Sequence, residues 1–408
     1  MNKIELLAPA GDLEKLITAI DYGADAVYLG GEAFGLRKAS KNFPKADMKK
    51  GVEYAHARGK KVHVTLNIIP HDGDFEGLED YLAFLEEIGV DAVIVADPGM
   101  FQRVKAACAI PIHMSTQGSL TNSDTVRFWK DLGAERVVLA RELTLEEIKT
   151  IANNVSEVEI ETFVHGAMCM SYSGRCLLSN YMTGRDANQG DCAQPCRYKY
   201  HLVEENRPGE YFPIESTEEG SFILNSKDLS MIEHIDALIE ANICSLKIEG
   251  RVKSAYYLAT VIRSYRMAID AYYADPEGYQ YDPAWEEEIK KVSHRDFTTG
   301  FYYSEAKDAR GISEQTTYIR NYDFVGVVLH YDPKTGRALI EQRNRIFDGD
   351  EVEIFGPGKP HFVQIFTDMR DLDGEKIEIA NRARQHFSVA VDRPVAPKDM
   401  IRKRVKEV

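Results

Sequence analysis

The sequence lacks the long apolar stretches that mark membrane and secreted proteins. It contains no apolar run of about 18 residues, so no transmembrane helix is expected. Its first residues, MNKIELLAPAGD, include no apolar segment long enough for a signal peptide and run directly into a strand pattern. We therefore predict a cytoplasmic protein without a membrane partner.

Positive charge is also in short supply. The chain of 408 residues has 50 Lys and Arg against 65 Asp and Glu, which gives a formal net charge of −15 at pH 7. This balance argues against a general polyanion binder, because phosphate contacts need Lys and Arg. Residues 321–408 are an exception, since their positive and negative residues are equal in number. A local basic face for RNA therefore stays open.

Cysteine is scarce as well, yet most of it is concentrated in one segment. The chain has 6 cysteines, and four of them lie between Cys169 and Cys196. The spacing is Cys169-x6-Cys176-x15-Cys192-x3-Cys196. In a reducing compartment such a cluster indicates metal binding or catalysis before it indicates disulfides.

The spacing of the four cysteines favours a metal cluster over a single metal ion. Structural zinc sites usually pair cysteines on tight turns, and only Cys192 and Cys196 have a suitable spacing here. A [4Fe–4S] cluster needs four thiolates and tolerates varied spacing, so it is the favoured occupant. Zinc and unligated or redox-active thiols are the alternatives. Cys108 and Cys244 are predicted to be ordinary buried cysteines.

Three similar segments indicate the fold. GADAVYLG, GVDAVIVA and GAERVVLA begin at Gly23, Gly89 and Gly133, and each follows a helical pattern. Glycine after a helix supplies a left-handed residue, and the apolar run that follows suits a parallel strand buried on both faces. Repeated helix–glycine–strand units predict an α/β architecture with right-handed crossovers.

The number of strands predicts whether the parallel sheet is open or closes into a barrel. Eight strands are expected, over residues 4–9, 26–30, 61–68, 92–97, 111–117, 136–141, 159–166 and 245–250. Eight is the number that closes a (β/α)8 barrel, which we therefore predict in preference to an open doubly wound sheet.

The predicted barrel occupies residues 1–275 and carries an insertion. The insertion, residues 165–227, follows strand seven and contains the four clustered cysteines. A long loop after a barrel strand lies at the C-terminal face, where barrel enzymes have their active sites. Residues 276–320 are expected to be an irregular connection. Residues 321–408 alternate apolar and polar residues between turn signals, which predicts a small C-terminal β-barrel domain.

Several motifs resemble one known family. ETFVHGAMCMSYSGRCLLS, residues 161–179, is similar to the signature of the collagenase-like peptidase family, class U, number thirty-two. Further segments extend the likeness over nearly the whole chain and resemble its tRNA hydroxylation branch in particular. These segments are LLAPAGDLEKLITAIDYGADAVYLGG, CAQPCRYKY, NSKDLSMIEHIDALIEANICSLKIEGRVKS and SHRDFTTGFY.

The resemblance implies a cofactor, a reaction and partners. Members of that branch act in the prephenate-dependent 5-hydroxylation of the wobble uridine of tRNA. For this chain the resemblance implies an oxygen-sensitive [4Fe–4S] cluster on Cys169, Cys176, Cys192 and Cys196, and prephenate as hydroxyl donor. It also implies the anticodon region of tRNA and a related protein of the family as partners.

The alternative function is a collagenase-like peptidase or a zinc-stapled, peptide-binding barrel. Proteolysis needs an activated nucleophile or a metal-bound water. The sequence has neither a His-Glu-x-x-His motif nor a Gly-x-Ser-x-Gly motif. The tRNA-modifying interpretation is therefore preferred.

Charged residues at the predicted strand ends are the candidate catalytic groups. A dicarboxylate such as prephenate needs planar cations, and Arg141 and Arg251 are suited to that role. Glu249 lies on the same strand as Arg251 and is predicted to be catalytic with it. The alternatives are ion pairs at the barrel rim, between Arg141 and Glu142 or Glu161, and between Arg251 and Glu249.

His165 is the fourth candidate catalytic residue. It ends strand seven, four residues before the first clustered cysteine. It is predicted to donate to cluster sulfide or to act as an acid or base near neutral pH. The alternative is a hydrogen bond to a loop carbonyl.

Three further polar residues are predicted to contact the cofactor or substrate. His113 and Gln117 share one face of strand five if that strand stays regular. The segment HMSTQ is unusually polar for a central strand, which favours a lining role. Asn67 ends an otherwise apolar strand, and ordering of the adjacent loop is its alternative role.

Two surfaces are candidate RNA contacts. The first consists of aromatic residues of the insertion, which could stack on an extruded base, and of a basic edge beside them. The second is the C-terminal domain. The residues are Tyr172, Tyr181, Tyr198, Tyr200, Arg197 and Lys199 in the insertion, and Arg343, Arg345, Arg402, Lys403 and Arg404 in the C-terminal domain.

Overall fold

Parallel strands surrounded by helices form the larger part of the molecule. The structure, a computed structural model, describes residues 3–32, 34–35, 42–169, 171–198, 202–203, 211–212, 227–303 and 318–405.

The parallel strands close into a barrel. Its strands are β1 (Glu5–Pro9), β2 (Ala26–Leu29), β3 (Lys61–Leu66), β4 (Ala92–Val95), β5 (Ile112–Met114), β6 (Arg136–Val138), β7 (Glu159–Ala167) and β11 (Ser245–Ile248). Each strand pairs in parallel with the next, β11 pairs with β1, and β11 also pairs with β7, so the ring is complete. The predicted (β/α)8 barrel is confirmed, and the open sheet is excluded.

Helices follow most of the barrel strands. The helices are α1 (Leu13–Asp21), α2 (Lys45–His56), α3 (Leu78–Glu87), α4 (Pro98–Ala107), α5 (Ser123–Leu132), α6 (Leu145–Asn154), α7 (Leu178–Thr183), α8 (Ile235–Glu240), α9 (Ala255–Ala274) and α10 (Pro283–Ile289). Helix α7 lies in the insertion, and α10 follows the barrel in the chain. Among the described residues, no helix combines the length and the apolar character that crossing a bilayer requires.

Strands five and six are shorter than predicted. Strand β5 ends at Met114, because the Ser115 side chain accepts a hydrogen bond from the Gln117 amide at 3.3 Å and opens a 3-10 turn over Thr116–Gly118. Strand β6 ends at Val138. A serine side chain that bonds backbone two residues ahead competes with the strand ladder, and the alternation of HMSTQ does not reveal this.

Short strands accompany the cysteine-bearing insertion. They are β8 (Leu202–Val203), β9 (Tyr211–Phe212), β10 (Asp228–Ser230) and β12 (Phe297–Thr298). Strand β10 runs antiparallel to the end of β7, with Ser230 opposite His165, and β12 pairs with β10 in parallel. The end of the insertion is thereby attached to the strand from which the insertion departs.

The C-terminal part is a separate antiparallel domain, as predicted. Its strands are β13 (Tyr322–Asp332), β14 (Arg337–Gln342), β15 (Ile346–Phe347), β16 (Glu351–Phe355), β17 (Phe362–Ile365), β18 (Ile379–Ala380), β19 (His386–Ala390) and β20 (Met400–Arg404). Six of them form one sheet in the order β17-β16-β20-β13-β14-β19. The buried side chain of Gln364 joins the two edge strands, because its amide donates to the Ala390 carbonyl at 3.1 Å.

A buried ion network joins the two domains. The Arg402 side chain on β20 is fully buried, and its Nη2 lies 2.8 Å from both carboxylate oxygens of Glu288 on α10. Arg402 Nε also donates to Glu353 at 2.7 Å, and Lys291 bonds both Glu288 and Glu353. Arg402 therefore holds the domains together, and its predicted place on an RNA-binding face is wrong.

Replacing Arg402 with Met should destabilise the protein. The substitution leaves the Glu288 and Glu353 carboxylates short of a buried cation, and removing one partner of a buried ion pair lowers the free energy of unfolding by about 3–5 kcal/mol. Urea denaturation measures the loss. The control Arg345→Met, at an exposed side chain, should change stability by less than about 0.5 kcal/mol. Equal stabilities of the two variants would contradict the assignment.

Candidate active site

A cavity of about 270 Å³ opens at the carboxyl ends of the barrel strands. The chain brings side chains from distant segments to it, because the carboxyl ends of parallel barrel strands all meet at one face. All four clustered cysteines line this cavity, together with predicted residues Asn67, Gln117, Arg141, Glu249 and Arg251. His113 and His165 are not among its lining residues.

The insertion carries the cysteines on a cross-braced loop. Cys169 follows β7 directly, and the other three cysteines flank α7. The Asn188 side chain accepts from the Cys176 amide at 3.3 Å and donates to the Cys176 carbonyl at 3.1 Å. The Ser179 hydroxyl accepts from the Ala193 amide at 2.9 Å, which ties α7 to the segment of Cys192.

Contacts with neighbouring barrel loops fix the position of the insertion. Glu142, just beyond β6, accepts from the Ser173 amide at 2.6 Å and from its hydroxyl at 3.0 Å. Gln189 donates to the Ile69 carbonyl, beyond β3, at 2.6 Å. At Gly166 the chain has φ +105, and a Cβ there would lie 2.4 Å from the Glu249 carbonyl oxygen. Only glycine allows β7 to turn so close to the end of β11.

The four thiols of the insertion are candidate ligands of a metal centre. No disulfide joins any of the six cysteines, all of which lie in the described residues. Four thiolates bound to one zinc ion lie about 3.8 Å apart, given bonds of about 2.3 Å in a tetrahedron. Within the described chain, the one group of three potential ligand atoms that lie within 4.8 Å of one another is Glu288, Glu353 and His361, so no three of these sulfur atoms are that close together.

An iron–sulfur cube is compatible with this spacing, because each thiolate binds a different iron. One backbone contact supports the same fit. The Gln194 amide donates to Cys192 Sγ at 3.4 Å, and Gln194 adopts φ 58 to direct it there. Hydrogen bonds to the sulfur atoms are among the features that tune such clusters.

Arg141 lines the cavity, and no acidic side chain among the described residues forms an ion pair with it. Its Nη1 donates to the Ala167 carbonyl at 3.2 Å, and its guanidinium lies 5.3 Å from the centre of the Phe163 ring. Its buried Nε atom has no hydrogen-bond partner. Glu142 and Glu161, the alternative partners, are bound to Ser173 and to Lys247 instead. Arg141 therefore retains its capacity to bind an anion.

Arg251 is held against the backbone of strand β2. Its guanidinium donates to Thr65 Oγ1 at 3.3 Å and to Asn42 Oδ1 at 3.1 Å, and the side chain is buried. A Cβ on Gly30 would lie 2.5 Å from Arg251 Nη2. The first glycine of YLGG, Gly30, therefore makes room for this guanidinium. Glu249, from the same strand end, accepts a hydrogen bond from the Tyr28 hydroxyl at 3.2 Å.

Two lysines of the cavity were missed from the sequence. Lys247 and Lys253 line it together with Arg251. In the segment SLKIEGRVK, every second residue from Lys247 to Lys253 is charged, and period-two alternation places such residues on one face of a strand. This signal could have identified Lys247. The position of Lys253 also depends on packing against the Tyr318 ring, 4.1 Å from its Nζ.

The predicted face shared by His113 and Gln117 does not form. The 3-10 turn after Ser115 directs Gln117 to the cavity, where its Oε1 accepts from the Asn67 amide at 3.1 Å. His113 instead lies inside the barrel, 4.8 Å from the ring of His63. Burial, followed by the charges of His63 and Arg136, holds the pKa of His113 well below its usual value.

His165 is also withdrawn from the cavity. It is buried among the rings of Tyr257, Tyr265 and Phe297, and its Nδ1 lies 3.4 Å from the Tyr265 hydroxyl. Burial first, then the charges of Lys253 and His294, lower its pKa to about 3. A histidine with this pKa is neutral near pH 7, which disagrees with the predicted role in acid–base chemistry.

The two candidate RNA surfaces differ in how many of their side chains are exposed to solvent. Tyr172, Tyr181 and Tyr198 are exposed on the insertion, Tyr181 by 90%. In the C-terminal domain Arg343 pairs with Glu14 and Lys403 with Asp350, while Arg345 and Arg404 are exposed. Lys199, Tyr200 and the Arg197 side chain lie outside the described residues.

Sequence comparisons identify a family over nearly the whole chain. The model of peptidase family U32 matches residues 11–311, and the model of the peptidase family U32 C-terminal domain matches residues 320–402.

Full-length relatives have names of two kinds. The chain is 44% identical over 403 residues to tRNA hydroxylation protein P1 of Bacillus subtilis, covering 98% of this chain and 95% of that protein. It is 37% identical over 428 residues to tRNA hydroxylation protein P of Escherichia coli, covering 93% and 92%. It is 30% identical over 413 residues to a collagenase of Porphyromonas gingivalis, covering 98% of each.

Replacing His165 with Phe should make stability less dependent on pH. The unfolded histidine gains a proton near its ordinary pKa of 6.5, whereas the folded one gains it only near 3. Its contribution to stability is therefore complete above pH 6.5 and declines as the pH falls towards 3. Phenylalanine keeps the ring packing and removes the titration. Urea denaturation between about pH 4.5 and 7 measures the slope.

The control for this experiment is His330→Gln, at an exposed histidine. It should leave the wild-type slope nearly unchanged. A His165→Phe slope equal to that of the wild type would contradict the lowered pKa.

Proposed function

The chain belongs to peptidase family U32, and we propose that it is an enzyme that hydroxylates tRNA. The names of two relatives similar over their full length support this activity. The finer proposal is 5-hydroxylation of the wobble uridine, with prephenate as the hydroxyl donor and a [4Fe–4S] cluster as cofactor. The observation that carries it is one cavity lined by four cysteines and by several cationic side chains.

The cations of the cavity suit a small dianion. Arg141, Lys247, Arg251 and Lys253 line it, and Glu249 is the one carboxylate among its described lining residues. Guanidinium groups bind carboxylates through paired hydrogen bonds, and burial strengthens such contacts. Arg141 and Arg251 have fixed positions, because carbonyl, hydroxyl and amide partners orient their guanidinium groups. They would bind the donor and hold it against the strand ends.

Cys169, Cys176, Cys192 and Cys196 would hold the iron–sulfur cluster. When bound, such a cluster supplies one-electron redox chemistry at the cavity wall. The protein orients the ligands: Asn188 fixes the backbone of Cys176, and Ser179 fixes the segment of Cys192. The Gln194 amide donates to the Cys192 sulfur and would stabilise its thiolate.

The rim of the cavity suits a single-stranded RNA loop. Proteins that read RNA loops stack extruded bases on aromatic side chains. Tyr172 and Tyr181 are exposed on the insertion that carries the cysteines. The anticodon loop of tRNA would approach this rim in the cytoplasm, and a second family protein as partner stays a prediction.

Peptidase activity is the second candidate function, because one full-length relative is named a collagenase. A serine or cysteine nucleophile needs an adjacent base. The described lining of the cavity includes no histidine, and both His113 and His165 are buried with lowered pKa values. These observations favour tRNA hydroxylation.

Nucleoside analysis of tRNA tests the proposed function. In a strain that lacks this gene and any redundant pathway, the wild-type gene should restore 5-hydroxyuridine, measured by mass spectrometry. Cys176→Ser should reduce it at least about tenfold, since it removes a proposed cluster ligand. Cys108→Ser is the matched control at a thiol outside the cavity and should restore it. No 5-hydroxyuridine with the wild-type gene would reject the function.

Anaerobic purification tests the cofactor separately. The wild type and Cys108→Ser should contain about four irons and four sulfides per chain. Cys176→Ser should contain less iron. Stoichiometric zinc without iron would reject the cluster. Gelatin cleavage by the purified protein that survives substitution of all four cysteines would support a peptidase that does not use them.

A further inference from the structure

A buried ion pair forms part of the floor of the cavity. We use floor for the buried strand residues Tyr28, Ile94, Phe163 and Lys247, which all line the cavity. Lys247 Nζ lies 2.6 Å from Glu161 Oε1, and both side chains are almost fully buried. Barrel interiors are usually filled by branched apolar residues. A charged pair here therefore calls for a reason beyond packing.

Further charges beneath the floor keep this pair ionised. Arg136 Nη1 lies 3.0 Å from Glu161 Oε2, and Arg136 also pairs with Glu5 and Glu159. Burial by itself would raise the pKa of Glu161, but Lys247 and Arg136 outweigh it and lower that pKa to about 2. Glu161 is consequently a carboxylate at physiological pH, and it holds the Lys247 ammonium in one place.

The Lys247 ammonium has donors to spare for a ligand. An ammonium group has three N–H donors, and within the described residues only Glu161 accepts one of them. Its Nζ lies 4.6 Å from the centre of the Tyr28 ring and 5.4 Å from that of Phe163. Both rings line the cavity. They form apolar walls beside a fixed cation.

A purely structural role does not account for the pair. Burying two charges carries a desolvation penalty, and apolar residues of similar volume often stabilise a core as well or better. The floor combines aromatic walls with a cation, and this combination matches an unsaturated ring that bears a carboxylate. Arg141 and Arg251 line the same cavity and are the cations proposed for the other carboxylate of the same molecule.

We propose that Lys247, held in place by Glu161, is an anion-binding residue that selects a cyclic dicarboxylate by binding its ring carboxylate at the floor of the cavity. The second carboxylate binds Arg141 and Arg251. This inference rests on the proposed function for the identity of the donor. The proposed function needs only Arg141 and Arg251 to bind the donor. The inference adds Lys247 as a ligand-binding residue and Glu161 as the residue that positions it.

Calorimetric titration of the anaerobically purified holoprotein tests the assignment. The probes are prephenate and phenylpyruvate, a monocarboxylate that lacks the ring carboxylate. Lys247→Met should weaken prephenate binding about 10- to 100-fold, the range expected for a lost charged hydrogen bond. Phenylpyruvate binding should change less than about threefold, because that ligand lacks the group Lys247 contacts. Lys247→Arg should recover part of the prephenate affinity, because it keeps the charge.

Two further variants control for misfolding and for the loss of an unrelated positive charge. The double variant Lys247→Met/Glu161→Gln removes both charges of the pair. If Lys247→Met alone does not fold, the double variant should fold and should show the same loss of prephenate binding. Lys334→Met, in an exposed turn, should bind both ligands as the wild type does. Equal losses for the two ligands, or unchanged prephenate binding, would overturn the assignment.

The outcome is separable from that of the proposed function. If the wild type discriminates the two ligands through Lys247 but no tRNA is hydroxylated, the inference stands and the proposed function fails. If tRNA is hydroxylated and the Lys247 variants bind prephenate normally, the inference fails alone. A wild type that binds neither ligand would overturn the inference and the choice of donor together.

Discussion

The pairing of β7 with β11 is the contact on which the rest of the structure depends. It closes the barrel, with Ser245 opposite Glu161 and Lys247 opposite Phe163. The same pairing brings Lys247 within hydrogen-bond distance of Glu161, and the chain leaves β7 directly into the segment that begins with Cys169. Closure and the charged floor are therefore consequences of one register. A slip of one residue would turn each of these side chains to the opposite face.

The barrel tolerates a charged interior because its charges are matched. Arg136 is shared by three carboxylates and Glu161 by two cations, so each buried charge has a partner at hydrogen-bond distance. His63 and His113 lie in the same interior as neutral rings, since burial lowers the pKa of each. An unpaired charge at this depth would carry a large penalty. The interdomain network around Arg402 follows the same rule, and there the matched charges come from two domains.

The fold could be predicted from the sequence because it depends on local patterns. Gly23, Gly89 and Gly133 each precede a short apolar run, and such repeats specify helix and strand without knowledge of distant contacts. The site was partly predictable, since strand ends of a barrel meet at one face, and Arg141 and Arg251 indeed line its cavity. The wrong predictions of residue positions depend on a single local hydrogen bond or on contacts between distant segments of the chain. The face shared by His113 and Gln117 was wrong because one serine hydrogen bond ends β5, and Arg402 was misplaced because one of its partners, Glu288, lies outside its own domain.

The arrangement of charges also bears on how a cofactor and an anion could share one cavity. Thiolates around an iron–sulfur cube add negative charge to the wall formed by the insertion, and an anionic donor adds more. Among the cations of the cavity, Lys247 lies on β11, and Arg141, Arg251 and Lys253 follow the ends of β6 and β11, so the positive wall lies opposite the insertion. Lys247 is fixed by Glu161 and Arg251 by Thr65 and Asn42, so neither must move towards the thiolates when the wall becomes more negative. Fixed cations at the strand ends could therefore bind the proposed donor while the insertion holds the proposed cluster, with the two groups on separate walls of one cavity.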